Sequence, residues 1–180
     1  MSPHTDEGQI ARAPFRPLPF ELKTQRLILR LWDRADASGY RELVGERGDP
    51  LPTMDEALAD IDGARESAPG RGIHLLTLRR RDDPSMFLGY CGLVIGRASI
   101  EEPEIAYELL RSAHGNGYAT EAAQVIVDAA RATGRTRLWS TVRPWNPPSF
   151  RVLEKIGFSR DRVTTDDGGD IVWLTRSLDA

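Results

Sequence analysis

The run Leu110-Arg-Ser-Ala-His-Gly115-Asn-Gly117-Tyr-Ala-Thr-Glu-Ala-Ala123 sets two glycines ahead of a strongly periodic segment. Ala122, Val125, Ile126 and Ala129 in that segment fall at helical spacing. The first turn of a helix presents unpaired N–H groups and the positive end of its dipole. Glycines let a bulky anion come close to that backbone, so the pattern suits a pyrophosphate without any lysine. The plainer reading is a tight turn, which the same two glycines would also serve. A dinucleotide fingerprint would need glycine or alanine where Thr120 stands, and would arrive early in the chain rather than after four strands.

A second constellation follows about thirty residues on, in Asn146-Pro-Pro-Ser149-Phe-Arg-Val-Leu-Glu-Lys-Ile-Gly157-Phe158. Asn146 is a good helix N-cap, and proline is tolerated in the first turn. Ser149 shares a helical stripe with Val152, Leu153 and Ile156. An inward-facing serine needs a partner, which is either a backbone group or a ligand.

These segments need a scaffold. Residues 1–20 carry four prolines and no sustained periodicity, and read as an N-terminal tail partly ordered by Phe15, Leu18 and Phe20. Residues 21–180 read as one folded domain. Arg26–Leu31, His74–Arg79, Met86–Ile95, Glu104–Leu110 and Leu138–Val142 read as strands, and Arg162–Thr165 with Ile171–Thr175 as a closing hairpin. Asp36–Val44 and Met54–Ser67 read as helices, joined later by the helix after Gly117 and the short one from Pro148 to Ile156.

Four segments in this order resemble the GNAT superfamily of N-acetyltransferases, and within it the branch of the ribosomal-protein N-terminal acetyltransferases. They are Leu-Lys-Thr-Gln-Arg-Leu-Ile-Leu-Arg at 22–30, Leu-Gly-Tyr-Cys-Gly-Leu at 88–93, Glu-Ile-Ala-Tyr-Glu-Leu at 104–109 running into Gly-Asn-Gly-Tyr-Ala-Thr-Glu-Ala at 115–122, and Asn-Pro-Pro-Ser through Lys-Ile-Gly-Phe at 146–158. The resemblance covers about residues 22–178. It implies an α+β fold: a mixed, mostly antiparallel sheet of about seven strands with splayed central strands, flanked by about four helices. Acetyl-CoA, the implied co-substrate, would lie in the splay. Its pantetheine would pair with the main chain of Leu109, Leu110 and Arg111. Its pyrophosphate would sit on backbone amides of His114, Gly115, Asn116, Gly117, Tyr118 and Ala119. Asn146 and Ser149 match family positions near the pantetheine and the thioester sulfur, and Glu104 matches a strand glutamate that takes the amine proton in several relatives.

Two departures change the expected chemistry. The family loop often opens with glutamine or arginine three residues before the first glycine, and Ser112 stands there. Pyrophosphate binding must then lean on main chain, with Arg111 beside it. Many members also carry a tyrosine four residues after the Ser149 position to protonate the leaving thiolate; here it is Leu153. Ser149 becomes the candidate. The plainer reading of Glu104 is a solvated strand glutamate paired with an arginine, on the face of Ala106 and Glu108 and opposite Ile105, Tyr107 and Leu109.

The remaining signals narrow the class. His114 reads as a loop residue donating main chain, His74 as structural, and Cys91 as a small buried hydrophobe. Three scattered histidines and one cysteine make no metal site. With 180 residues the chain fits a single domain, since domains commonly run to roughly 100–200 residues. A net charge of −3 without a basic stripe speaks against a nucleic-acid partner. No run approaches the ~18 apolar residues of a membrane span, and no apolar secretion segment opens the chain, so a cytoplasmic monomer or homodimer is expected. The acceptor would be an amine, either a protein N-terminus or a small molecule. The main rival is a non-catalytic acyl-CoA-binding regulatory module, which would keep both binding motifs and tolerate loss of Glu104 and Ser149.

Overall fold

Short apolar runs set the strands of this chain, and the computed structural model, which describes residues 15–179, gathers them into one sheet. The strands are β1 (Glu21–Lys23), β2 (Leu27–Arg30), β3 (Leu75–Arg80), β4 (Phe87–Val94), β5 (Glu104–Leu109), β6 (Arg137–Val142), β7 (Ser159–Asp166) and β8 (Gly169–Ser177). Their order is β1-β2-β3-β4-β5-β6-β8-β7. Every neighbouring pair is antiparallel except β5 and β6. Four helices flank the sheet: α1 (Ala37–Arg47), α2 (Met54–Arg71), α3 (Tyr118–Ala132) and α4 (Pro147–Lys155).

The fold is the expected α+β arrangement with one strand more. The extra strand, β1, has three residues, too few for a period of two to declare itself. Its exposed Glu21 and Lys23 suit a sheet edge. Helix α2 outruns its expected end at Ser67. Pro69 falls in its last turn, and the helix closes at Gly72 in the left-handed conformation. Residues 1–14 of the expected tail lie outside the described residues. After them, Leu18 is buried, with its N–H on the Gly72 carbonyl at 2.9 Å.

The period of two sorts side chains between two layers. Leu76 and Leu78 of β3, Cys91 and Leu93 of β4, and Ile105 and Leu109 of β5 share a core with Ala122, Ile126 and Val127 of α3 and Leu153 of α4. On the opposite face Trp32, Ala37, Ala57 and Ile61 pack with Tyr40, Phe87 and Tyr90 under α1 and α2. A buried charge cluster joins those helices to the sheet. Asp36 is fully buried, takes the Asp33 N–H at 2.8 Å, and pairs with both Arg30 and Arg79. No described helix is long and apolar enough to cross a membrane.

A kink near the centre of the sheet bears on the site. The β3–β4 register shifts beside Gly89, whose φ is +141°. A Cβ there would lie 2.1 Å from the Glu108 carbonyl, so only glycine lets β4 approach β5 this closely.

Candidate active site

The parallel pair β5 and β6 meets at a single bridge, Glu104 with Trp139. Beyond it the strands part. Residue parity shows which backbone groups face the opening. The Leu110 N–H donates to the Leu88 carbonyl at 2.9 Å, so Leu110 and, by alternation, Glu108 and Ala106 turn their main chain toward β4. Ile105, Tyr107 and Leu109 turn theirs the other way. Ser140 of β6 still reaches the Ile105 carbonyl at 3.3 Å, but Tyr107 and Leu109 lie past the bridge and face the gap.

At the mouth of the gap, β5 runs through a 3-10 turn (Arg111–Ala113) and the glycine loop into α3. Gly115 and Gly117 have φ of +77° and +78°, and among the described residues no side chain caps α3. The first-turn N–H groups of Tyr118, Ala119 and Thr120 therefore lack an intrahelical partner, as an anion site requires. Asn116 shapes the loop by donating to the carbonyls of Ala113 and His114 at 3.2 and 3.0 Å.

Arg26, which the sequence reading treated only as the start of a strand, brings a positive charge here. It donates to the Asn116 carbonyl at 2.9 Å and to Glu121 at 2.7 Å, and lies 4.8 Å over the Tyr118 ring. Its charge is shared with the Glu121 carboxylate. Nothing in the sequence links positions ninety residues apart, so folding alone reveals it. Arg111 faces elsewhere: its N–H donates to Glu46 Oε2 at 2.8 Å and its guanidinium to the Glu46 carbonyl at 2.7 Å. His114, expected to donate only main chain, has its N–H on the Arg111 carbonyl at 3.1 Å and uses its side chain instead. Its Nε2 bonds the Leu109 carbonyl at 2.9 Å, and since a carbonyl only accepts, that nitrogen carries the proton.

Asn146 caps α4 as expected, its side chain taking the Ser149 N–H at 3.4 Å. Tyr107 crosses from β5 to the same turn, and its hydroxyl donates to the Ser149 carbonyl at 3.1 Å. The structure thus brings Ser149, Asn146 and Tyr107 together on the far wall of the gap. Leu153, one turn on, is fully buried. Burial pushes the Tyr107 phenol well above its ordinary range, against the lowering effect of its bond to Ser149.

Glu104 stands at the closed end of the gap, on the opposite face. It is buried, with one carboxylate oxygen bound by the Arg97 N–H and the other by the Thr141 hydroxyl at 2.7 Å. Its arginine partner is thus a backbone group. The Arg97 guanidinium reaches on to Asp166 at 2.8 Å, and Arg143 holds the same carboxylate. Arg143 and the Gly168 N–H bring the Asp166 carboxyl down to about 2. Two clefts flank the Gly96–Arg97 turn. One of 310 Å³ lies toward Trp32, Ser67 and Arg71, the other of 220 Å³ toward Glu102, Trp139 and Trp173. On the same face, Glu108 takes hydrogen bonds from Arg47 and from the Tyr90 hydroxyl at 3.0 Å. This cluster also escaped the sequence reading, whose only hint was that Glu108 shares a face with Glu104.

A splayed parallel pair beside an uncapped helix N-terminus is the arrangement that the sequence resemblance implied. Residues 26–159 match the family described as the acetyltransferase (GNAT) domain. The chain belongs to the GNAT acetyltransferases. It is an acetyltransferase with acetyl-CoA as co-substrate. It is 30% identical over 148 residues to the uncharacterized N-acetyltransferase p20 of Bacillus licheniformis, a match spanning 81% of this chain and 79% of the relative. The fold is shared with the ribosomal-protein-S5-alanine acetyltransferase of Vibrio fischeri, at a TM-score of 0.74, 15% identity, and 89% and 98% of the two chains covered. It is also shared with Mycobacterium smegmatis RimJ, solved with CoA-disulfide, at a TM-score of 0.70, 21% identity, and 84% and 81% coverage.

Proposed function

We propose that this GNAT enzyme transfers acetyl from acetyl-CoA to a primary amine by direct attack in a ternary complex, and that the amine is a protein N-terminus. The single-bridge opening between β5 and β6 carries the proposal, because it exposes strand backbone where a pantetheine can pair. In this reading the pyrophosphate sits on the loop amides from Gly115 to Ala119, with Arg26 beside them, because the His114 N–H already donates to the Arg111 carbonyl at 3.1 Å. Pantetheine pairs with Leu109, while Leu110 and Arg111 form the strand end it follows. Asn146 and Ser149 line its far side.

The neutral amine attacks the thioester carbonyl from the Glu104 face, and its proton leaves to Glu104 through water. Each oxygen of that carboxylate has a lone pair beyond the donor it already holds. The tetrahedral oxyanion takes a main-chain N–H. Leu109 offers one in the gap, while the Leu110 N–H is committed to Leu88. Carbon–sulfur cleavage then releases the thiolate beside Ser149. A protein N-terminus is favoured over other amines by the two fold relatives whose names specify ribosomal proteins or RimJ. The enzyme acts as a monomer or homodimer in the cytoplasm.

The test is a screen of N-terminal peptides and small amines with thiol detection of released CoA. Acetylation of an α-amine peptide supports the reading. Binding of acetyl-CoA with no acceptor acetylated would leave the regulatory module in its place.

A further inference from the structure

We propose that the Tyr107 hydroxyl is the hydrogen-bond donor that holds the departing coenzyme thiolate. The inference rests on the acetyl-transfer reading for its co-substrate, and on Tyr107 itself for everything else.

Tyr107 is the β5 residue past the Glu104–Trp139 bridge whose side chain crosses to α4. Its hydroxyl rests on the Ser149 carbonyl at 3.1 Å. Ser149 is the third residue of α4, so its carbonyl also accepts the N–H four residues on, that of Leu153. The tyrosine therefore makes a second, neutral bond to a carbonyl already satisfied. If the hydroxyl turns away, no buried group is orphaned. A thiolate arriving at this wall offers an anionic acceptor, and charge-assisted bonds are roughly twice as strong as neutral ones. The exchange is therefore favourable only once negative charge has formed on sulfur. An interaction made in that state alone speeds the reaction without tightening substrate binding.

The phenol acts as a donor rather than an acid. An ordinary phenol titrates near ~10 and an ordinary thiol near ~8.5, and burial raises the Tyr107 phenol, so transfer to sulfur is uphill. In the balanced step the amine lone pair forms the carbon–nitrogen bond, and the tetrahedral adduct collapses. The carbon–sulfur electron pair passes to sulfur, and the amine proton leaves through water. Tyr107 keeps its proton and bonds the thiolate, which is protonated by solvent on release.

The experiment uses the full chain, with rates measured on the acceptor found by screening and the thiol of bound CoA titrated by its thiolate ultraviolet absorbance. An ordinary thiol titrates near ~8.5. Bound to the wild type, CoA should titrate lower, and Tyr107→Phe should return it upward by about one unit while lowering kcat roughly ten- to hundredfold with KM for acetyl-CoA little changed. If the Ser149 hydroxyl were the donor instead, Ser149→Ala rather than Tyr107→Phe would move the titration, which would overturn the assignment. Site-specific 3-fluorotyrosine at 107 keeps the packing and strengthens the donor, so it should lower the bound thiol further. A titration that ignores both Tyr107 substitutions overturns the assignment while acetyl transfer stands. A wild type that binds no CoA overturns both.

Discussion

The Arg111 N–H and the Glu46 carboxylate form a 2.8 Å hydrogen bond between the end of β5 and the last turn of α1. The family resemblance implies that Arg111 offers its main chain to the coenzyme, whereas here Glu46 holds that N–H, so pairing at Arg111 requires this bond to break. Glu46→Ala should therefore tighten acetyl-CoA binding by about two- to tenfold, the worth of one partly exposed hydrogen bond. Titration calorimetry measures this directly. Weaker binding would show that Glu46 instead holds Arg111 in its working position.

Gly117 tests the anion site. Its φ of +78° is reached freely only by glycine, and it heads an α3 that no side chain caps. Gly117→Val should strain the loop and cover the first-turn amides. The rise in melting temperature that acetyl-CoA gives the wild type, by linkage to the native state, should disappear. A full shift in the variant would move the pyrophosphate away from this helix end.

The loop and its helix were legible in the sequence because each is local: two glycines at fixed spacing, then a period of 3.6. The strands from His74 onward were legible for the same reason. What the sequence withheld was lateral. Arg26 meets Asn116, Glu46 meets Arg111 and Tyr107 meets Ser149 only after the sheet closes. Tyr107 in particular alternates as an ordinary apolar strand residue, and its hydroxyl gains a partner only across the splay. The end of α2, though not its start at Met54, was hidden by Pro69, which usually ends a helix but is tolerated here in the final turn.

His74 should set part of the acid limit of stability. It is buried, its Nε2 meets the Pro19 carbonyl at 3.1 Å, and its Nδ1 has no partner among the described residues. Burial lowers its pKa from the ordinary 6.5. The unfolded chain then takes up a proton near pH 6.5 while the folded chain does not, so stability is full above that pH and falls as the pH drops below it. The slope from one such group is at most about 1.4 kcal/mol per pH unit. His74→Gln should flatten the decline in melting temperature between about pH 6.5 and 5. An identical decline in the variant would assign the acid sensitivity to other groups.

Glu104 is the sharpest test of mechanism, because its two hydrogen bonds separate charge from structure. Glutamine can keep both: its carbonyl accepts the Arg97 N–H, and its amide donates to the Thr141 hydroxyl, which can turn to accept. Glu104→Gln should therefore fold normally, whereas Glu104→Ala leaves a buried N–H unpaired and should cost about 1–3 kcal/mol. The effect of glutamine on rate then depends on the acceptor. An α-amino group titrates near ~7.8, so roughly a third is neutral at pH ~7.5. A lysine amine near ~10.4 is neutral only about one part in a thousand there, a deficit of ~4 kcal/mol. A general base contributes typically ~10²–10⁴-fold. With an N-terminal acceptor, Glu104→Gln should lose activity mildly and recover near pH ~9, where the amine no longer needs a base. With a lysine-like acceptor the loss should be severe and recovery should require still higher pH. The pH–rate profile of Glu104→Gln on the screened acceptor decides between them. A profile identical to wild type at every pH would remove Glu104 from proton transfer and leave it as the clasp between the Arg97 turn and β6.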